Sequence, residues 1–324
     1  MTSAHRLSRL CVVVLATALS VGLVSAPAEA AKKKDVRLSR AFYVDPTTSA
    51  AKAAKKDRRF APIGSRAQAL WLTDYYSVKK VRKAASDYAK RANRKKRTPV
   101  VAIYAIPNRD CGQHSSGGFD ARTYRSWVSQ VAKGLKGRKA IAVLEPDALA
   151  LQGSAQCGSE AERLALLAFA ARKLHAAGVW VYIDAGHHGW QPADVIASRL
   201  IGAGVTKYAR GFSLNVGNFQ KTPDERAYGN QIVAELRARG AGSKRFVIET
   251  ARNGAAAPPA AGDFCNPVGQ RIGSSAERPR MVRTGYLDAY VWIKHPGESD
   301  GACNGGPAAG QWWPQGALQL LGKA

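Results

Sequence analysis

The amino-acid sequence predicts an α/β fold, a closed parallel (β/α) barrel of the TIM-barrel kind within a single domain. Two observations support it. Short segments rich in β-branched and aromatic residues recur along the chain, and stretches of helical character separate them. Apolar runs of this length are typical of strands buried on both faces of a parallel sheet. A strand–helix alternation repeated about seven times favours a barrel over a sandwich.

The predicted strands are residues 41–44, 100–106, 140–144, 179–183, 211–214, 246–248 and 289–293. The predicted helices are residues 78–93, 121–136, 160–177, 192–202 and 223–239. Helix punctuation supports these assignments. Ser159 and Glu162 form a capping box at the start of the third helix, and Gly178 follows its end. Pro192 and Pro223 stand where first-turn prolines are common.

The first 30 residues have the features of a secretory signal peptide. Arg6 and Arg9 precede an apolar run at 11–24, which is too short to span a bilayer, and a small-residue cleavage site ends at Ala30. We therefore expect a secreted, extracellular protein with no membrane segment. Residues 31–39 are basic and predicted to be disordered, and residues 40–324 form the folded domain.

Four cysteines remain after the signal peptide, and an even number in an oxidising compartment predicts two disulfides with three possible connectivities. They are Cys111, Cys157, Cys265 and Cys303. A zinc site is the competing interpretation, but no C-x-x-C pair or nearby histidine cluster supplies ligand spacing. We expect neither a metal ion nor a cofactor.

The chain is strongly basic, with 49 Lys and Arg against 23 Asp and Glu and a net charge of +26. Such a surface attracts polyanions. Nonspecific adsorption to anionic cell-wall polymers is the preferred interpretation, because no recognisable nucleic-acid-binding module accompanies the charge. Dedicated nucleic-acid binding is therefore not expected, and the protein is expected to be a monomer.

Acidic residues concentrate just after the predicted strands, where parallel barrels carry their catalytic groups. They are Asp45, Asp110, Glu145, Asp147, Asp184, Glu249, Glu298 and Asp300. Carboxylates that converge raise one another's pKa, so one can hold a proton near neutral pH while another activates water. This pair is what glycoside hydrolysis requires. For Glu145 and Glu249 we prefer a structural role as buried partners of Arg109, Arg252 or Lys294.

Aromatic side chains at the same strand ends could stack on sugar rings. They are Trp71, Tyr104, Trp190, Phe264 and the pair Trp312 and Trp313. Trp190 stands apart because it lies in a polar, glycine-rich segment. The adjacent His187 and His188 suggest hydrogen bonds to substrate more than a metal, since neighbouring side chains point apart and no third ligand is evident.

Two motifs carry a family resemblance. Residues 104–118, from Tyr104 through Arg109-Asp110-Cys111 to Ser116-Gly-Gly, and residues 143–149, with Glu145-Pro-Asp147, resemble the two signatures of glycoside hydrolase family 6. The likeness extends to residues 184–190, 215–218, 252–254, 262–267 and 294–301, and so covers almost all of the chain after residue 41.

The resemblance implies a distorted seven-stranded barrel that hydrolyses β-1,4-glucans with inversion. By analogy Asp147 protonates the glycosidic oxygen and Asp110 keeps that proton in place. Asp300 matches the position proposed for the base, and Ser116 matches one that holds a water relay. Tyr104 matches a tyrosine that crowds the sugar ring toward a distorted shape.

The same analogy assigns sugar-contacting or network positions to Asp184, His187, Trp190, Asn215, Lys294 and Glu298. It also pairs Cys111 with Cys157 and Cys265 with Cys303. Two departures from the family pattern, Phe264 and Thr47 in place of tryptophans, predict weaker stacking at outer subsites.

Short loops favour an open cleft and endo action over the tunnel of exo-acting members. With no carbohydrate-binding module after Ala324, soluble or amorphous glucan is the expected substrate. A cellobiohydrolase, a mixed-linkage glucanase and a non-catalytic secreted polysaccharide- or polyanion-binding protein are the alternatives.

Overall fold

The structure is a computed structural model that describes residues 1–2 and 34–323. The predicted signal peptide, apart from its first two residues, and residues 31–33 of the basic segment lie outside the described residues. Within the described part of the chain, every helix is too short or too polar to traverse a lipid bilayer.

One sheet of eight strands forms the centre of the domain, in the order β1-β2-β3-β4-β5-β6-β8-β7. The strands are β1 Leu70–Thr73, β2 Val100–Tyr104, β3 Ile141–Leu144, β4 Trp180–Asp184, β5 Gly211–Leu214, β6 Arg245–Glu249, β7 Arg280–Thr284 and β8 Leu287–Val291. Every neighbouring pair is parallel except β7 and β8, which are antiparallel. The carboxyl ends of seven strands therefore open on one edge of the sheet.

Nine α-helices accompany the sheet in the described residues: α1 Ser49–Lys56, α2 Ala61–Gly64, α3 Val78–Arg94, α4 Ala121–Leu135, α5 Glu160–Ala176, α6 Ala193–Gly202, α7 Val205–Tyr208, α8 Thr222–Ala238 and α9 Pro314–Leu320. The five predicted helices are all present, with ends that differ by at most one residue. The Ser159 hydroxyl caps α5 by accepting the N–H of Glu162, as predicted.

The prediction of a closed barrel of seven strands is wrong. No strand ladder joins β1 to β7 or β8 within residues 34–323, so the sheet curls into a half-barrel with two free edges. In the described residues, isolated hydrogen bonds bridge the seam between these edges. The N–H of Ala69 donates to the carbonyl of Trp292 (3.0 Å), and the indole N–H of Trp71 donates to the carbonyl of Ile293 (2.7 Å).

Residues 41–44 are not the first strand of the sheet. Phe42 makes a single isolated bridge with Thr98, just before β2, so the segment lies at the amino end of that strand. Asp45 follows it there, away from the other strand-end acids, and is hydrogen-bonded to Thr47 and Arg91. The role of Asp45 as a strand-end catalytic carboxylate is therefore excluded.

Two strands were missing from the prediction. β1 is a run of only four residues, Leu70–Thr73. β7 carries Arg280 and Arg283 and lies half-buried or exposed at the sheet edge. β7 lacks the continuous apolar signal of a central strand because it is basic and lies at the sheet edge, whereas the four-residue apolar run of β1 does not distinguish a strand from a helix.

The predicted disorder of residues 31–39 does not hold for residues 35–39, where a 3₁₀ helix spans Val36–Leu38. Arg37 is buried, pairs with Asp35 and donates to the carbonyls of Ala140 (3.1 Å) and Gly178 (2.9 Å). Its guanidinium also lies 4.2 Å from the ring centre of Trp180. Burial of this one arginine anchors the segment beside the amino ends of β3 and β4.

Candidate active site

Acidic side chains follow the carboxyl ends of the central strands, among them Asp110 after β2, Asp147 after β3, Asp184 at the end of β4, Glu249 at the end of β6 and Asp300 after β8. Asp110 and Asp147 have left-handed backbone conformations, with φ of 60° and 70°. Such conformations are costly for non-glycine residues and are often found at functional sites.

Asp147 has the environment of a proton donor. Burial, and then the charges of Asp184, Asp110 and Glu249, raise the pKa of its carboxyl well above the ordinary value. No hydrogen bond lowers this pKa, because the Asp147 carboxyl accepts none from the described residues. Asp147 is therefore protonated where an ordinary aspartate is ionised.

Asp184 lies against Asp147 but is better supplied with donors. Its carboxyl accepts the N–H groups of Asp147 (2.9 Å) and Gly186 (3.1 Å) and the hydroxyl of Ser213 (2.8 Å). Burial raises its pKa to about 7, and these hydrogen bonds hold it down. Since donors stabilise the ionised form, a proton shared by the pair resides on Asp147.

Asp300 is held as an anion. Its carboxyl contacts Nη1 of Arg252 (2.6 Å), Nζ of Lys294 (2.7 Å) and the N–H of Asn266 (3.0 Å). Burial alone would raise its pKa, but the two cations and their hydrogen bonds lower it far below the usual range. Such a carboxylate orients neighbouring groups well but accepts a proton weakly.

The structural role expected of Glu145 and Glu249 takes a different form from the predicted ion pairs. Glu145 accepts the N–H groups of Ala105 (3.0 Å) and Ile106 (3.1 Å), which follow β2. Glu249 accepts those of Ile293 (2.9 Å) and Lys294 (2.6 Å), and also that of Gly217. Both carboxyls thus tie neighbouring strand ends together, and burial raises the pKa of each to about 7.

The loop after β2, residues 105–119, is held by Arg109. Its guanidinium donates to the carbonyl of Ser115 (2.8 Å) and to Asp74 (2.6 Å), which follows β1. The other oxygen of Asp74 accepts the N–H of Gly118 (2.9 Å). Within this frame Asp110 accepts the N–H of Ser115 (2.7 Å), and burial raises its pKa.

Gly118 is required where the loop returns to the sheet. Its φ is +98°, and a Cβ there would lie 2.0 Å from the carbonyl oxygen of Ile106. Ser116 lies exposed nearby with no hydrogen bond from its hydroxyl to the described residues. The loop therefore carries Asp110 and an exposed hydroxyl at the carboxyl edge of the sheet, the region around Asp147 that we call the groove.

Tyr104 is fixed at the end of β2 between two neighbours. The guanidinium of Arg109 lies 4.8 Å from the ring centre, and the ring of Trp71 contacts it edge-on at 5.3 Å. Burial, then the charges of Asp147 and Asp110, raise the pKa of Tyr104 well above its usual value. The ring of Tyr104 is thus held in place near Asp147, with its phenol hydroxyl neutral.

Trp190 and His187 lie together in the loop after β4, with ring centres 4.3 Å apart. Trp190 is half-buried and lies at the rim of a cavity of about 550 Å³ that His188 and Tyr228 also line. Burial lowers the pKa of His187 to about 4, so its ring is neutral.

One cluster in residues 34–323 has the spacing of a metal site. Ligand atoms of His187, His188 and Glu225 lie within 4.8 Å of one another. However, Nδ1 of His187 accepts the N–H of Gly189 (3.1 Å), which places the ring proton on Nε2 and leaves no free lone pair. Nδ1 of His188 is bonded to Glu225 (2.7 Å). These bonds make the cluster a hydrogen-bond network.

The remaining residues of the predicted site form a network around β6 and β8. Asn215 is buried and uses its amide on Gln220 and on the carbonyl of Glu249. Glu298 contacts His295 (3.1 Å), whose other nitrogen donates to the carbonyl of Ala69 (2.7 Å). Although burial alone would lower the pKa of His295, Glu298 raises it. The polar groups of these side chains are thus used within the framework of strand ends around β6 and β8.

Two disulfides join the loops around the groove, in the pairing that the family resemblance implied. Cys111–Cys157 connects the loop after β2 to the segment after β3, and Cys265–Cys303 connects the segments that follow β6 and β8. Phe264, beside the second disulfide, is 42% exposed and lies 5.9 Å from the ring of His114. Phe264 therefore borders the groove at its rim.

Trp312 does not serve as a stacking platform. Its ring contacts Phe60 edge-on at 5.2 Å and packs against a separate core formed by α1, α2 and α9. Sequence reasoning also missed Asp74, Glu225 and His295. Asp74 directly follows β1, so recognising that strand would have identified Asp74 as a strand-end acid. No local signal marks Glu225 within α8.

A protonated carboxyl at the carboxyl edge of a curled parallel sheet, flanked by ionised carboxylates, aromatic rings and neutral imidazole, defines a glycoside hydrolase. Comparisons with known proteins identify the group. The family described as Glycosyl hydrolases family 6 matches residues 34–324. The chain belongs to this family.

Several similar proteins are named endoglucanases. Endoglucanase A of Cellulomonas fimi is 45% identical over 289 residues, 87% of this chain and 61% of that protein. This chain thus spans about three fifths of that relative. Endoglucanase 1 of Streptomyces halstedii is 37% identical over 329 residues, 97% of each chain.

Solved structures agree with the fold. An endoglucanase of Mycobacterium tuberculosis, in complex with methyl-cellobiosyl-4-deoxy-4-thio-β-D-cellobioside, has a TM-score of 0.81 and 38% sequence identity. The superposition covers 89% of this chain and 98% of that one. The expected family and fold class are confirmed, with the open, eight-stranded sheet as the correction.

Proposed function

We propose that this protein hydrolyses internal β-1,4-glucosidic bonds of β-glucans with inversion, and that Asp147 is the general acid. The observation that carries the proposal is the raised pKa of the Asp147 carboxyl, on which burial and three acidic neighbours act in the same direction. A carboxyl that is neutral near the working pH can protonate the leaving glycosidic oxygen. Relatives named as endoglucanases support internal cleavage.

Water activation is assigned to Asp110 acting through a relay at Ser116, with Asp300 as an electrostatic support. Asp300 is paired with two cations, which lower its pKa and weaken it as a base. Burial raises the pKa of Asp110, so its ionised form is the stronger proton acceptor of the two. The exposed hydroxyl of Ser116 lies in the same loop and can hold a water.

Substrate positioning falls to Tyr104, Trp71, Trp190 and His187. The fixed phenol of Tyr104 crowds the sugar bound beside Asp147 and favours a distorted ring. Trp190 offers a ring face at the adjoining cavity, and the neutral His187 can donate a hydrogen bond from Nε2. Lys294, Glu298, Asp184 and Asn215 hold the surrounding framework, and Phe264 borders an outer subsite.

Residues 40–324 act in this proposal as the catalytic domain of a monomer that is exported by the signal peptide at residues 1–30. The two disulfides fit an oxidising, extracellular compartment. Soluble or amorphous β-glucan is the proposed substrate, and neither a membrane nor a dedicated nucleic-acid partner is part of the proposal.

The test compares viscosity with reducing-sugar release on barley β-glucan and carboxymethyl cellulose. Endo action lowers viscosity steeply at low sugar release, whereas a cellobiohydrolase releases sugar with little viscosity loss. Proton NMR of the first products should show the α-anomer, as inversion requires. Release of the β-anomer, or equal activity of wild type and Asp147→Ala, would contradict the mechanism.

A further inference from the structure

A second cleft, which we call the basic cleft, is lined by none of the strand-end acids of the candidate active site. It has a volume of about 500 Å³, and Arg66, Lys95, Arg97 and Arg278 line it together with residues 41–44, Pro46 and Pro279. Arg66 precedes β1, whereas Lys95 and Arg97 precede β2. Arg278 and Pro279 precede β7, whose antiparallel pairing of Arg280 with Tyr290 places them near the carboxyl end of β8. The basic cleft therefore lies along the seam between β1 and the pair of β7 and β8.

The four cations of the basic cleft have no acidic partner. None forms an ion pair with any residue in the described part of the chain, and no acidic side chain lines the cleft. Asp45 is buried next to it, but its carboxyl is already bonded to Thr47 and Arg91. Glu277 neighbours Arg278 in sequence without pairing to it. Burial, and then the charge of Arg278, lower the pKa of Arg66.

Unpaired like charges that converge cost free energy, and an anion bound between them removes that cost. Guanidinium groups bind carboxylates and phosphates in bidentate geometry. The volume is larger than a single inorganic anion needs, and the cations are contributed by three separate segments. An extended ligand with several acidic groups fits better than an isolated ion.

The uncharged part of the wall favours a sugar chain over a nucleic acid. Val44, Pro46 and Pro279 offer aliphatic surface, whereas the aromatic rings of Phe42 and Tyr43 are only 4% and 5% exposed. Binding of single-stranded nucleic acid relies on accessible aromatic rings on which bases stack. A polysaccharide whose acidic groups recur along the chain can instead be held by charge-assisted hydrogen bonds to the guanidinium groups, without ring stacking.

We propose that the basic cleft is a binding site for an acidic polysaccharide, which holds the enzyme on glucan-containing material through residues separate from the catalytic ones. The cleft recognises the carboxylate or phosphate groups of that polymer. This inference does not depend on the proposed glucanase activity, because it concerns other residues and is measured by binding.

The experiment measures binding of the full chain to polygalacturonate, which carries carboxylates, and to phosphomannan, which carries phosphates. An ionic strength of about 20 mM keeps screening weak. The double variant Arg97→Gln/Arg278→Gln removes two exposed cations of the basic cleft that make no ion pair. The control Lys133→Gln/Lys136→Gln removes the same charge from exposed positions at the end of α4.

The cleft variant should bind at least one polymer about tenfold more weakly than wild type, because two charge-assisted contacts are lost. The control should stay within about twofold, since diffuse charge is largely screened. The polymer that loses affinity identifies the acidic group. Hydrolysis of neutral barley β-glucan should be unchanged in both variants. If the wild-type protein does not hydrolyse this glucan, the result contradicts the proposed glucanase function and leaves the binding proposal unaffected.

Three results would overturn the proposal. Equal weakening by the cleft and control variants would show that diffuse charge holds the polymer. Unchanged binding by the cleft variant would show that these arginines do not contact it. Tighter binding of single-stranded DNA than of either polysaccharide, with the same loss in the cleft variant, would assign the cleft to nucleic acid instead.

Discussion

Proton donation by Asp147 predicts that the effect of Asp147→Asn depends on the leaving group of the substrate. An amide is nearly the same size as the carboxyl and cannot deliver the proton. The carboxyl accepts no hydrogen bond from residues 34–323, so the replacement leaves no donor unpaired. The fold should therefore persist, and the loss of activity should report chemistry.

The magnitude follows from the contribution of general acid catalysis, which is roughly 10² to 10⁴ in rate. This corresponds to about 3 to 5.5 kcal/mol of transition-state free energy. In barley β-glucan the leaving group is a sugar hydroxyl, which is a poor leaving group as the alkoxide, so cleavage needs the full contribution of general acid catalysis. Dinitrophenyl β-cellobioside leaves as a stable phenolate and needs little protonation, so its kcat should fall less than about tenfold.

The assay follows sugar release from barley β-glucan and absorbance from dinitrophenyl β-cellobioside, each across a pH series. Wild-type activity on glucan should fall at alkaline pH as Asp147 loses its proton, and this limb should be missing in Asp147→Asn. Asp194→Asn is the matched control, because it makes the same chemical change at an exposed position on α6.

Equal losses on both substrates would refute the reasoning, because a proton donor must matter more for the poorer leaving group. An alkaline limb that persists in the variant would point to another acid, and Asp184, with its pKa of about 7, would be the first candidate.

Three further predictions concern the framework. Burial raises the pKa of Glu145 and Glu249 from 4.5 to about 7. Because the folded state then binds protons more tightly, the free energy of unfolding in urea should fall as pH rises through this window; a rise would contradict the assignment. Removing a disulfide that spans 38 residues, by Cys265→Ala/Cys303→Ala, should cost about 4 kcal/mol in the same assay, and no change would show that the pair is unformed. Asp74→Asn should lower kcat about tenfold with little change in KM, because it loosens the loop that presents Asp110; a change in KM alone would argue against positioning.

Central strands and the acids after them could be predicted from sequence because each is a local pattern. An apolar run such as residues 140–144 is buried on both faces, and the next polar residues must emerge at the sheet edge. The strand at Leu70–Thr73 could not, since it is only partly buried at the sheet edge and its short run Leu-Trp-Leu-Thr is equally compatible with a helix. Residues 41–44 have strand-like composition, but only tertiary contacts with Thr98 decide that they do not join the sheet.

Charge pairing was the least predictable part of the site. Sequence offers Arg109, Arg252 and Lys294 near several acids, and nothing local decides the partners. The structure assigns Arg109 to Asp74 and the other two cations to Asp300. Arg37 shows the same limit. It lies in a basic segment that the sequence predicts to be disordered, yet its side chain is buried and donates to the carbonyls of Ala140 and Gly178.

The carboxyls of Glu145, Asp184 and Glu249 each accept backbone N–H groups from a neighbouring strand end. Carboxyl groups therefore join the strand ends at the groove, and a carboxyl group, that of Asp147, also donates the proton in the proposed reaction. Selection for activity at a more alkaline pH would therefore act at once on the proton donor and on the contacts that join the strand ends. A shift in the titration of the donor would be accompanied by a change in the width of the groove, and variants tuned at Asp147 alone should be rarer than variants that alter these three acids together.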